Sequence, residues 1–188
     1  MLMSETGATH VILRTERGLL ACQRHGDKGV TVNMGQPLLR WDEVPLASAC
    51  DTLHVPLPGD PAACSMGNPH CTFFFESLGD INPWVLGPPI EQHPLFPQQT
   101  NVHFVQVLDR SCIRLRIWER GGGVPAGSGS CSCAAAVAAI RRGLTGDSVT
   151  VVCDGGRVHI QWDGVGGVML TGSVARVFAG EVEPTLLS

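Results

Sequence analysis

The 188-residue sequence has little charge of either sign: 16% of its residues are Asp, Glu, Lys or Arg, and the formal net charge is −4. No basic cluster or stripe is present, so the electrostatic footprint of a nucleic-acid binder is missing. The paired basic site Arg141-Arg142 falls at the end of an apolar run, where it suits a helix C-terminus. No uninterrupted apolar stretch reaches membrane length, and Met1 to Thr6 is not a charged leader followed by an apolar core. These absences make a cytoplasmic protein without membrane or nucleic-acid partners the expectation. Eight cysteines are scattered along the chain. Such a count would suit disulfides in a small secreted protein, but in a mid-sized chain of this kind reduced thiols are expected. Cys131 and Cys133 stand as C-x-C with no second close pair, so no metal site is expected. With 44% hydrophobic residues the chain can bury a core, as one ordinary domain or two small ones.

The most informative stretch runs from Trp118 to Cys133, Trp-Glu-Arg-Gly-Gly-Gly-Val-Pro-Ala-Gly-Ser-Gly-Ser-Cys-Ser-Cys, followed by the alanine-rich run to Arg142. It reads as the end of a strand, a glycine-rich loop and a helix whose first turn carries hydroxyl and thiol side chains. Backbone N–H groups in such a loop can approach a ligand, and the positive end of the helix favours an anion. Glycine runs also occur in plain turns and at tight helix-to-sheet contacts. The adjacent Glu119 and Arg120 sharpen the reading. A carboxylate and a guanidinium beside a helix N-terminus can clamp the ammonium and carboxylate of an amino acid. On a strand the two would point to opposite faces, so the chain must turn if both are to reach one ligand.

Patterning elsewhere predicts a mixed α+β chain. His10 to Cys22 suits a hairpin with its turn near Gly18, and Asp27-Lys28-Gly29 announces a strand over 30–34. Residues 35–61 carry five prolines and should wrap around the core rather than join a regular sheet. Strands are expected over 62–66 and 71–75, with Phe73 to Phe75 in the core and the turn Gly67-Asn68-Pro69 between them. A short helix over 86–91 and a turn over 93–97 follow, with His93 structural. Strands are also expected over 102–107 and 113–118, and over 149–153, 157–162 and 168–171 after the central helix. Met1 to Thr6 reads as the end of a helix.

Several of these stretches resemble diaminopimelate epimerases. Arg114 to Gly146 is similar to the family's strand, "ERGAG" turn, "ACGSG" loop and alanine-rich helix. Ser65-Met66-Gly67-Asn68-Pro69-His70, His93 to Pro97 with Thr100-Asn101-Val102, and Leu170-Thr171-Gly172 agree in the same order. The resemblance implies a diaminopimelate epimerase-like α+β fold, a curled, mostly antiparallel sheet wrapped around a central helix. It also implies isomerisation of LL- to meso-diaminopimelate in lysine biosynthesis, without a cofactor and without a metal. Further implications are an amino-acid ligand and substrate contacts from Asn68, His70, Asn101, Glu119, Arg120, Gly129 and Ser130; an asparagine capping a turn explains Asn101 equally well. The chain itself is expected to contain a remnant of the first domain over 1–34, a second domain over 35–179 and a tail over 180–188. An apolar face left bare by a missing partner domain would favour a homodimer.

In the resembling enzymes two cysteines, one thiolate and one thiol, act on opposite faces of the α-carbon. No Cys-Gly-Asn-Gly, the family's first catalytic motif, occurs here. Aligned without gaps from Glu119, the second catalytic cysteine falls on Ser128. A hydroxyl is far harder to ionise than a thiol, so the expectation is an impaired or inactive chain with Ser128 at the catalytic position. Two alternatives are a non-catalytic amino-acid-binding module and a same-fold isomerase or dehydratase that dispenses with thiols and uses Ser128 and Glu119.

Overall fold

The computed structural model describes residues 2–15, 18–26, 29–178, 180–183 and 185. Its ten strands form a single sheet in the order β1-β2-β3-β10-β9-β8-β7-β6-β5-β4. The short helix α1 (Leu2–Thr6) leads into β1 (His10–Thr15), β2 (Gly18–His25) and β3 (Gly29–Asn33), which pair antiparallel in succession. Glu16 and Arg17, beside the turn expected near Gly18, and Asp27 and Lys28, which announce the next strand, lie outside the described residues. β3 then pairs with β10 (Met169–Ser173), so residues 29–33 belong to the same sheet as the C-terminal strands.

From Gly35 to Pro61 no strand forms, as the prolines predict; the one ladder contact is an isolated bridge from Leu38 to Ser65. The segment is nevertheless packed, because Val44, Leu46 and Val55 are buried with Phe73 and Phe104 in a satellite core. Two arginines from later in the chain pin it. Arg141 donates to the carbonyl of Ala63 and the hydroxyl of Thr52, and Arg142 to the carbonyls of Leu53 and Asp60.

Two of the sheet's pairings are parallel, and each is where a helix intervenes, since parallel neighbours need a long crossover. Helix α2 (Pro83–Glu91) connects β5 (Pro69–Phe75) to β6 (Asn101–Asp109), and α3 (Gly129–Arg141) connects β7 (Cys112–Trp118) to β8 (Ser148–Cys153). Helix α2 starts three residues before the expected range. Asn82 caps it by accepting the Trp84 N–H at 3.0 Å, and Pro83 holds the first helical position. β4 (Ala62–Ser65) closes one edge against β5, and β9 (Gly156–Gln161) lies between β8 and β10.

Helix α3 is apolar on every side. Cys131 to Ala139 are all buried, and the helix touches each strand from β4 to β9. A helix surrounded in this way has no polar face to present, which explains a run of small residues rather than an amphipathic stripe. Alanine lets Ile113, Leu115 and Ile117 of β7 and Val149 and Val151 of β8 reach it closely.

Candidate functional site

The strand β7 alternates half-buried and buried side chains and ends at Trp118. The chain then closes a tight turn: Glu119 N–H donates to the carbonyl of Gly123 at 2.6 Å, and Gly122 and Gly123 donate back to Glu119. Gly121 and Gly123 take φ of 70° and 82°, which a side chain would strain. A buried carboxylate holds this turn from outside. Glu91, at the end of α2, accepts the Trp118 indole N–H at 2.6 Å and the Gly121 N–H at 2.9 Å.

The turn aims Glu119 at the start of α3. Its Oε1 accepts the Ser128 hydroxyl at 2.9 Å. Ser128 occupies the N-cap position with extended backbone, and its side chain makes no capping bond. A carboxylate of the protein therefore stands beside the helix's positive end. Arg120 diverges, as expected of strand neighbours: its guanidinium is exposed and bonds the Gln98 carbonyl, while its backbone N–H donates to Asn101 Oδ1 at 3.0 Å. Asn101 is 1% exposed and its Nδ2 donates to the Pro69 carbonyl at 2.9 Å. One amide thus ties the Glu119 turn to the turn that carries Asn68 and His70.

Behind that turn a buried row of polar groups continues. Asn68 Oδ1 and His70 Nε2 are 2.9 Å apart, His70 Nδ1 and His103 Nε2 3.2 Å, and His103 Nδ1 and the Thr72 hydroxyl 3.0 Å. Burial pushes the His103 ring down to about 3, so it is neutral. His70, His103 and Cys131 are all buried and have ligand-capable atoms within 4.8 Å of one another, the one such trio among the described residues. The facing imidazole nitrogens are already bonded to each other. Burial pushes the Cys131 thiol up to about 12, against hydrogen bonds from Ser128 and Ser130 and with the Glu119 charge adding to the rise. A thiol so placed stays protonated and is no base near neutral pH.

A cavity of 420 Å³ opens at the α3 N-terminus, lined by Gly127, Ser128, Gly129, Ser132, Cys153 and Arg157 among others. Burial raises the Cys153 thiol, partly offset by the Ser132 hydroxyl, whose oxygen lies 3.7 Å from Sγ. The loop before α3 is held by Gly155, which donates to the Ala126 carbonyl at 2.6 Å and where a Cβ would sit only 3.0 Å from Ala126.

Residues 62–177 match the family profile described as diaminopimelate epimerase. Over 97% of its length the chain is 47% identical to the diaminopimelate epimerase of Rhodospirillum centenum, of which it covers 64%. The chain belongs to the diaminopimelate epimerase family. It is 49% identical over 89% of its length to the diaminopimelate epimerase of Gluconobacter oxydans, covering 63% of that protein. It thus spans slightly less than two thirds of the length of these relatives. Among solved structures, a hydroxyproline epimerase from Agrobacterium vitis with bound trans-4-OH-L-proline is similar over 88% of this chain and 56% of that one, at 20% identity and a TM-score of 0.58. A phenazine biosynthesis protein of the PhzF family from Bacillus anthracis is similar over 92% of this chain and 69% of that one, at 14% identity and a TM-score of 0.59. Both likenesses concern the epimerase-like fold.

Within the residues that the family resemblance singles out, the structure joins Ser128 to Glu119, Asn101 to Arg120, and Asn68 to His70. Ser128 and Gly129 line the cavity; Asn68, His70, Asn101, Glu119, Arg120 and Ser130 are not among its lining residues. Asn101 and His70 are buried and bonded within the chain, whereas Asn68 and Ser130 are half-buried. Sequence reasoning missed Glu91, His103 and Thr72. The apolar pattern around His103 and Thr72 reads simply as strand, and a carboxylate at a helix end reads as solvated. No helix is long and apolar enough to cross a membrane among the described residues.

Proposed function

We propose that the chain carries the ligand-clamping part of a diaminopimelate epimerase site, takes a zwitterionic diamino acid at the α3 N-terminus, and is impaired in acid–base chemistry by Ser128. The single observation that carries this reading is the Ser128 hydroxyl donating to Glu119 Oε1 at 2.9 Å at that helix end, in a family member. The family's chemistry calls for a thiol where Ser128 stands. Neither nearby thiol supplies one: Cys131 is buried and Cys153 is held up by burial. No cofactor is invoked, because the reaction needs only a proton removed from one face of the α-carbon and one delivered to the other. The curling of the sheet around α3, a second-domain unit over 35–179 beside the 1–34 remnant and the 180–188 tail, a cytoplasmic location and a homodimer belong to the same proposal. Exposed Ile12, Leu13 and Leu19 on the β1–β2 hairpin are compatible with the last.

The test is incubation of the 188-residue chain with LL- or meso-diaminopimelate in deuterated water, with calorimetric titration alongside. Binding with little α-proton exchange is expected; rapid exchange overturns the impairment, and no binding of any diamino acid overturns the clamp. The Ser128–Glu119 contact favours a second reading, an isomerase or dehydratase in which a carboxylate backs a hydroxyl. Rapid exchange abolished by Glu119→Gln would select it.

A further inference from the structure

The buried row Thr72–His103–His70–Asn68 has a direction, and Thr72 sets it. Among the described residues, the hydrogen-bond partner shown for the Thr72 hydroxyl is His103 Nδ1, and Thr72 is only 1% exposed. A buried hydroxyl hydrogen without an acceptor is costly, so it points at that nitrogen, which must accept. A neutral imidazole that accepts at one nitrogen donates at the other. His103 Nε2–H therefore donates to His70 Nδ1, and His70 Nε2–H donates in turn to Asn68 Oδ1.

We propose that Thr72 and His103 are positioning residues that fix the Asn68 amide with its oxygen turned inward, so that Asn68 offers the ligand N–H donors only and selects a carboxylate. The selection step rests on the ligand reading proposed above; the tautomer chain does not. Each member is in place for it. Thr72, His103 and His70 are buried at 1%, 0% and 0% exposure, and Asn68, at the outer end, is half-buried. Were the chain reversed, the Thr72 hydrogen would lose this acceptor, and Asn68 would present an oxygen that repels the same carboxylate. The strong depression of the His103 pKa keeps the ring neutral, without which it would donate at both nitrogens and break the sequence.

The experiment has two independent readouts on the full chain. Long-range ¹H–¹⁵N correlation reports which ring nitrogen carries hydrogen, and titration calorimetry with meso-diaminopimelate reports affinity. Both His70 and His103 are expected as Nε2–H tautomers in the wild type. Thr72→Val keeps the shape and removes the hydrogen, so it should populate the opposite tautomers and weaken binding about tenfold, the loss of one hydrogen bond to a charged group. Thr72→Ser should restore both, which a purely packing role for the methyl group would not allow. An Nδ1–H tautomer at either ring of the wild type, or Thr72→Val with tautomers and affinity unchanged, overturns the proposal. If the wild type binds no diamino acid, the selection step falls with the ligand reading while the tautomers still decide the relay.

Discussion

The Ser128 hydroxyl donates to Glu119 Oε1 at 2.9 Å, and α3 begins without a side-chain cap. An N-cap serine ordinarily bonds a backbone N–H of the first turn and contributes about 1 kcal/mol to the helix. Here that bond is absent, and the hydroxyl hydrogen goes to the carboxylate. Placing sulfur at this position directly tests the impairment proposed above. Ser128→Cys is expected to raise deuterium exchange at the α-carbon of bound diaminopimelate by on the order of a hundredfold. Exchange no faster than in the wild type would contradict the assignment of the impairment to Ser128.

Glu91 should matter to stability more than its place at a helix end suggests. Glu91→Ala strands the Trp118 indole N–H and the Gly121 N–H, both of which now reach its carboxylate. The expected loss is about 2–4 kcal/mol, since each abandoned donor costs about 1–2 kcal/mol. Glu91→Gln retains one acceptor and should lose roughly half as much. Urea midpoints measure both, and equal losses for the two variants would contradict the account.

Gly87 is where α2 meets the strand that leads into the site. A Cβ there would fall 2.2 Å from Trp118 Cγ, too close for the ring to remain where it is. Gly87→Ala is expected to destabilise by at least about 1–3 kcal/mol through overpacking, despite the better helix propensity of alanine. A shift in Trp118 fluorescence should accompany the lowered urea midpoint; a stabilised protein would contradict this packing.

His103 makes stability depend on pH. Its ordinary value of 6.5 falls to about 3 in the fold, so the unfolded chain takes up the proton first. The contribution of the neutral ring is complete above about pH 6.5 and is lost as pH falls towards 3, at up to about 1.4 kcal/mol per pH unit. His103→Asn removes that titration. Chemical denaturation between pH 7 and 4 should show a shallower slope for the variant than for the wild type, and parallel curves would contradict the burial argument.

Much of this was readable from local pattern. The alternation of Ile113 to Trp118 gave the strand, the alanine-rich run of Ala134 to Arg142 gave the helix, and the prolines of 35–61 kept that segment out of the sheet. Pattern reports a period and not a partner, so the parallel pairings of β5 with β6 and of β7 with β8 were hidden. The start of α2 could have been found from Asn82-Pro83, a capping residue before a proline. Glu91 could not, because its burial depends on Trp118, 27 residues further on. Asn101 shows the same limit: the family resemblance implied a ligand contact and the residue type a cap, whereas the fold uses both ends of its amide to tie two turns together.

Glu119 and Ser128 are separated by nine positions on one continuous stretch, the crossover from β7 through α3 to β8. Their encounter closes a small loop and costs little chain entropy, while the strands on either side must be gathered from far along the polypeptide. The Glu119–Ser128 contact is therefore local in the chain and can form early in folding, while Glu91, Asn101 and Gly155 brace its turns from other elements.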